Sequence, residues 1–126
     1  MTADRQPLAA FDDETFARVA DRTDVAADRL RALTRRHQEG VRELPGVDDI
    51  VYEWRNHFHL DPLVHRTEAV YALALPAHVW EEFSDRLDLS PSERDALERV
   101  HDRQARALAP SEDRFDGDAA LVLTRP

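Results

Sequence analysis

Residues 48–58, "DDIVYEWRNHF", decide which fold the chain takes, because they obey two periodicities at once. Ile50, Tyr52 and Trp54 alternate with Val51, Glu53 and Arg55, the pattern of a half-buried strand rich in aromatic and β-branched residues. Ile50, Val51, Trp54 and Phe58 would equally form the inward stripe of a helix. Tyr and Trp in alternation are unusual helix material, so a strand is expected over residues 49–58, with the helix as the alternative.

On the N-terminal side, residues 1–10 contain Pro7 and no clear period, and are read as a flexible arm ahead of a single globular domain over 11–126. Asp12 or Asp13 caps a first helix to about Arg22, with Phe11 placed as a hydrophobic staple and Phe16 and Val19 inward. Thr23 or Asp24 caps a second, whose Val25, Leu30, Leu33 and His37 share one face and which ends before Pro45 and Gly46. On the C-terminal side, "EAVYALALP" reads as a strand with Val70, Ala72 and Ala74 on one face and Tyr71, Leu73 and Leu75 on the other. Pro76 then opens a helix that turns Val79, Trp80, Phe83 and Leu87 inward. "SPSE" at 90–93 has the form of a capping box, starting a helix to about Leu108 that Pro110 stops. "AALVLT" suits a last strand. The expected fold is α+β: a mostly helical small single domain with a short antiparallel sheet of about three strands, an all-α bundle being the alternative.

Composition narrows the class. The chain has 126 residues, 26 acidic against 17 arginines, no lysine and a net charge of −9. Such a body repels itself in dilute buffer and is tolerated best where salt screens it. In this respect it resembles cytoplasmic proteins of extremely halophilic archaea and small uncharacterised haloarchaeal proteins. The absence of cysteine excludes disulfides, thiolate metal sites and thiol nucleophiles. The longest apolar run, "AVYALAL", is too short for a membrane span, and the N-terminus lacks a signal pattern, so a cytoplasmic protein without a membrane role is expected. Three glycines build no phosphate loop, and no serine lies in a nucleophile-elbow context, so no catalytic residue and no cofactor are assigned.

Two stretches carry site hypotheses. In "HFHLDPLVH", residues 57–65, an extended backbone would put His57 and His59 on one side, with Asp61 or His65 completing a three-ligand metal site. "HFHLD" resembles the HxHxD element of metallo-β-lactamase-type hydrolases, but Pro62 stands where that family has a further His, and its fold is much larger than this chain. The hydrolase reading is therefore set aside, and Asp61 and Pro62 are read as a turn.

Residues 16–35, "FARVADRTDVAADRLRALTR", resemble the helix-turn-helix unit of DNA-binding proteins. Ala20 falls at the helix crossing, Asp24 at the turn, and Val19, Val25, Leu30 and Leu33 at the buried positions. The resemblance implies a recognition helix that presents Ala26, Ala27, Asp28, Arg31 and Arg35 to the major groove of double-stranded DNA, with Arg29 or Arg36 near phosphates. The segment from Arg29 to Arg36 holds four arginines and no acid, the local clustering that phosphate contact requires. The leading expectation is a non-enzymatic DNA-binding or regulatory protein. The first alternative is a protein-interaction module, and the second a metal-binding protein. A homodimer would form through the Trp80 and Phe83 helix or the C-terminal strand.

Overall fold

A computed structural model describes residues 4–126 as an α+β domain. The order is α1 (Asp13–Arg22), α2 (Ala27–Glu43), α3 (Val47–His57), β1 (Leu63–Arg66), β2 (Val70–Leu75), α4 (His78–Leu87), α5 (Pro91–Leu108), a 3-10 turn (Asp113–Asp116) and β3 (Ala119–Thr124). The strands form one antiparallel sheet in the order β1-β2-β3. Of the expected N-terminal arm, residues 1–3 lie outside the described residues. From Pro7 onward the segment is tied to the body, since Thr124 Oγ1 donates to the Pro7 carbonyl at 2.8 Å.

Residues 49–57 are helical and Phe58 is the extended C-cap, which corrects the strand expectation for residues 49–58. Val47, Ile50 and Val51 are buried, and Trp54 and Phe58 pack partly against the same core, so the 3.6-residue stripe decides the segment. Tyr52, inward in the strand reading, stands exposed. Gly46 caps α3 with φ 109°, a left-handed backbone that costs a glycine little and lets a short connection from α2 turn sharply. Asp48 and Asp49 lie in the first turn and Arg55 in the last, each at the end of the helix dipole that favours its charge. The first strand is instead the four-residue β1, which overlaps the end of the histidine-rich stretch.

The expected faces of β2 are realised, and both are covered. Tyr71, Leu73 and Leu75, with Leu121 and Leu123 of β3, meet α3, α4, Leu33 and Val41 of α2, and Leu97 of α5. Val70, Ala74, Ala120 and Val122 meet Phe16 and Val19 of α1, Val100 and Ala105 of α5, and Phe115. The Phe11 staple forms, its ring 6.0 Å from that of Phe16. The capping box of α5 forms as well: Glu93 N donates to Ser90 Oγ at 3.2 Å, and Ser90 N to Glu93 Oε1 at 3.1 Å.

The outer edge of β3 faces protein, not solvent, and side chains close it. Trp80 Nε1 donates to the Ala120 carbonyl at 3.1 Å, and Val122 N donates to His101 Nδ1 at 3.0 Å. Gln38 makes two contacts with the strand, donating from Nε2 to the Val122 carbonyl at 2.9 Å and accepting from Thr124 N at Oε1, also at 2.9 Å. Three helices therefore supply what a fourth strand would have supplied. The residues named for the expected dimer surfaces have these places in the domain. Trp80 and Phe83 are buried in the core, and the C-terminal strand has no open edge along these groups.

Replacing Gln38 with Met keeps the length of the side chain and removes its amide, leaving the Val122 carbonyl and the Thr124 amide buried without partners. Urea unfolding at neutral pH should show a loss of about 2 to 6 kcal/mol, from a cost of about 1 to 3 kcal/mol for each of the two orphaned buried groups. A loss below 1 kcal/mol would mean that water or a shifted backbone replaces the amide.

Candidate functional site

The arginines singled out on α2 are largely engaged with the protein itself. Arg29 Nε donates to Glu93 Oε2 at 2.8 Å, tying the start of α2 to the capping box of α5. Glu93 is held below the usual carboxylate range by its bond from the Ser90 backbone and then by Arg29. Arg31 pairs with Asp28 at 3.0 Å, lies 3.9 Å from Asp13, and covers the Phe16 ring at 5.5 Å. Arg36 donates to the Leu87 carbonyl at 3.3 Å. Arg35 is exposed and makes no ion pair or hydrogen bond among the described residues. Val19, Val25, Leu30 and Leu33 are buried as the helix-turn-helix resemblance requires. The turn differs: Thr23 closes α1, with its hydroxyl on the Val19 carbonyl, and α2 begins only at Ala27 without a side-chain cap.

The histidine-rich stretch does not assemble around one point. His57 ends α3 and lines a surface depression of about 560 Å3 that also contains His78. His59 and Asp61 line a different one of about 540 Å3. His65 is half-buried on β1. The expected pairing of His57 and His59 on one side fails because the backbone is helical up to His57. Asp61 serves the turn: it takes both Arg55 Nε, at 3.1 Å, and Arg55 NH2, at 2.9 Å, and accepts from Leu63 N at 3.0 Å. The Arg55 bond holds its carboxyl below the usual range. Among the described residues no group of three or more His, Asp or Glu is placed to hold a metal ion.

Between the two depressions runs the crest of α3. Tyr52, Asn56 and Phe58 belong to both. Tyr52 is 71% exposed, and Phe58 lies between the His57 and His78 rings at 5.3 and 6.0 Å. On one side of the crest Tyr71 OH donates to Asp48 Oδ1 at 2.6 Å while Arg125 covers the Tyr71 ring at 4.6 Å. Burial, then Asp48, push the Tyr71 phenol up, so at neutral pH it acts as a donor and not as a base. Glu53 and Glu82 give the other side an acidic border. The crest thus offers aromatic surface, hydrogen-bond donors and charges of both signs. The sequence does not reveal it, because the strand reading turns Tyr52 inward.

A second missed feature is the pair of buried histidines. His37 and His101 meet edge to face at 5.2 Å, with Trp80 stacked on His37 at 5.4 Å and Phe83 edge-on at 4.4 Å. The amide of Gln38 is fixed by β3, and its Nε2 lies 3.2 Å from His37 Nδ1, so His37 accepts there and carries its proton on Nε2. His101 accepts from Val122 N and is the same tautomer. Neither Nε2 has a partner. Burial holds His37 neutral down to about 3 and His101 well below its usual value.

A family profile described as a domain of unknown function, DUF8048, matches residues 9–125. No curated protein and no solved structure matches the chain.

The histidine pair makes stability depend on pH with a definite sign. Unfolded histidine takes up a proton below its ordinary value of 6.5, whereas folded His37 stays neutral to about 3. Stability is therefore complete above pH 6.5 and is lost as pH falls towards 3. Between pH 7 and 5 the loss should be about 2 kcal/mol for each histidine that remains neutral when folded. Denaturant midpoints at the two pH values measure it, and His37→Phe should remove about half of the slope. An unchanged slope would place the proton uptake elsewhere.

Proposed function

The chain belongs to this DUF8048 family over nearly its whole length, and we propose that it is a non-enzymatic protein-interaction module that docks a partner on the crest of α3. One observation carries the reading: Tyr52, a large aromatic side chain, stands 71% exposed between two depressions that share it with Asn56 and Phe58. Nothing in the isolated domain is stabilised by that exposure. Tyrosine on a rigid helix, beside concave surface and within a border of charges, is the arrangement from which interface anchors are made. The depressions also give a partner side chains a place to enter on either flank. The acidic composition accords with a salt-adapted setting, in which apolar and aromatic contacts outlast screened charge pairs.

Double-stranded DNA on α2 is the second reading, favoured by the exposed and unpartnered Arg35 within the four-arginine segment. It is the weaker of the two because Arg29, Arg31 and Arg36 already serve protein acceptors, and Asp13 and Asp28 stand beside Arg31. A protein that reads phosphate needs those cations available.

The interaction reading is tested with a photoreactive benzoylphenylalanine at position 52 and, as a control, at position 99 on α5, in extract at the salt of the source cell. A discrete adduct is expected from position 52 alone. Excess wild-type protein should compete it away, and excess Tyr52→Arg should not. No adduct, or equal competition by Tyr52→Arg, would overturn the reading. For DNA, anisotropy of a mixed-sequence duplex across a wide range of potassium chloride should show no binding that an Arg31→Glu, Arg35→Glu double variant removes. Salt-sensitive binding lost in the folded double variant would reverse the order of the two readings.

A further inference from the structure

A groove of about 260 Å3 lies between α2 and α4, and none of its lining residues borders the depressions beside Tyr52. Its apolar walls are Val41 on α2 and Leu44 just past its end, and Phe83 and Leu87 on α4. Leu44 is 71% exposed at its margin. Three features of the groove lack an explanation within the domain. The first is Gly40, in the last turn of the 17-residue α2, where glycine still forms helix less readily than alanine. A Cβ built there meets nothing within 4 Å, so no close packing demands the glycine; its effect is to leave the wall bare.

The second is His37, only 2% exposed, which lines the groove and whose Nε2 has no hydrogen-bond partner. Because its Nδ1 is taken by Gln38, the orphan is a donor, and a buried donor without an acceptor is costly in a native protein. The third is charge. Arg36 and Arg86 lie at the end of the groove marked by the bond from Arg36 to the Leu87 carbonyl. Arg86 has no partner among the described residues, and Arg36 gives only one of its five donors to that carbonyl. Glu43 is seven residues further along α2, about 10 Å along the axis at 1.5 Å per residue, so the two ends of the groove differ in sign.

From this we infer that the groove binds a small carboxylic acid with an apolar body. The body lies over Gly40 against Phe83 and Val41. The carboxylate turns to the arginine end, where two oxygens can meet a guanidinium and the His37 Nε2–H together. The volume suits a compact aromatic or branched-chain acid and is below that of sites for drug-sized ligands. His37 is neutral, so it contributes a directed donor and no net charge; selection for an anion rests on Arg36 and Arg86. The inference is independent of docking on α3.

The test uses the isotopically labelled full chain titrated with phenylacetate, isovalerate and benzoate, and with phenylacetamide as the uncharged control, followed by the resonances of the Gly40 amide and the His37 Nε2–H. At least one acid should give saturable shifts centred on both, with the amide at least about tenfold weaker. Gly40→Leu, which fills open space with a better helix former, should abolish the shifts. Arg86→Gln should weaken the acid by about tenfold, a loss expected of an anion deprived of one charged partner. Arg99→Gln on the distant face of α5 should leave binding unchanged. Absence of saturable shifts with all three acids would overturn the inference, as would shifts that persist in Gly40→Leu or an amide that binds as tightly as the acids.

Discussion

The far edge of β3 must find hydrogen bonds inside the protein, and the placement of α2, α4 and α5 follows from that need. An unpaired backbone group in such a place costs about as much as several ordinary hydrogen bonds contribute net, so the edge could not simply be covered with leucine. Gln38, Trp80 and His101 supply the missing partners from three different helices. Each must arrive at a fixed height along the strand, which sets the register of its helix against the sheet. The aromatic cluster around His37 then forms where those three side chains meet. Polar residues in the centre of this core are thus structural parts of the sheet.

How much of this could be read from the chain depended on whether one periodicity stood alone. β2 and β3 were legible because short apolar runs between breaking residues fit strands and little else. The helix from Ser90 was legible from its cap. Residues 48–58 were not, and the reason is arithmetic: Ile50, Trp54 and Phe58 are spaced by four, which satisfies a period of two and a period near 3.6 alike. Only Val51, buried, and Tyr52, exposed, discriminate, and the strand reading puts each on the opposite side. The same inversion hid the candidate docking surface. His37 was correctly placed on the inward face of α2, yet its chemistry depends on Gln38 and on a strand 84 residues away, a separation that no local pattern reports. The helix-turn-helix resemblance matched the apolar positions, which any amphipathic pair shares, but not the turn, where Thr23 ends one helix and leaves the next to begin uncapped.

The absence of lysine changes what a cluster of positive charge means. A guanidinium is a planar fork that can bridge elements, and here it does so repeatedly. Arg29 joins α2 to α5, Arg36 joins α2 to the end of α4, and Arg114 joins the 3-10 turn to the carbonyls of Asp61 and Ala74. Arg125 covers the ring of Tyr71. In a chain of net charge −9, cations that bridge elements also offset local repulsion among the acids. A run of arginines in such a protein is as much a set of cross-braces as a surface for phosphate.

Closing one border of the sheet leaves only the other available for growth. At β1 the strand is four residues long, its pairing with β2 slips between Leu63 and His65, and Arg66 ends it facing solvent. Short length, an irregular register and a terminal charge are the features that keep an open strand from templating a neighbour's. A protein crowded at high concentration, or held briefly half-folded, is most exposed to runaway β-stacking at such borders. Here the long, apolar strand that would nucleate a fibril is sealed by side chains, and the border left open is too short and too uneven to continue one.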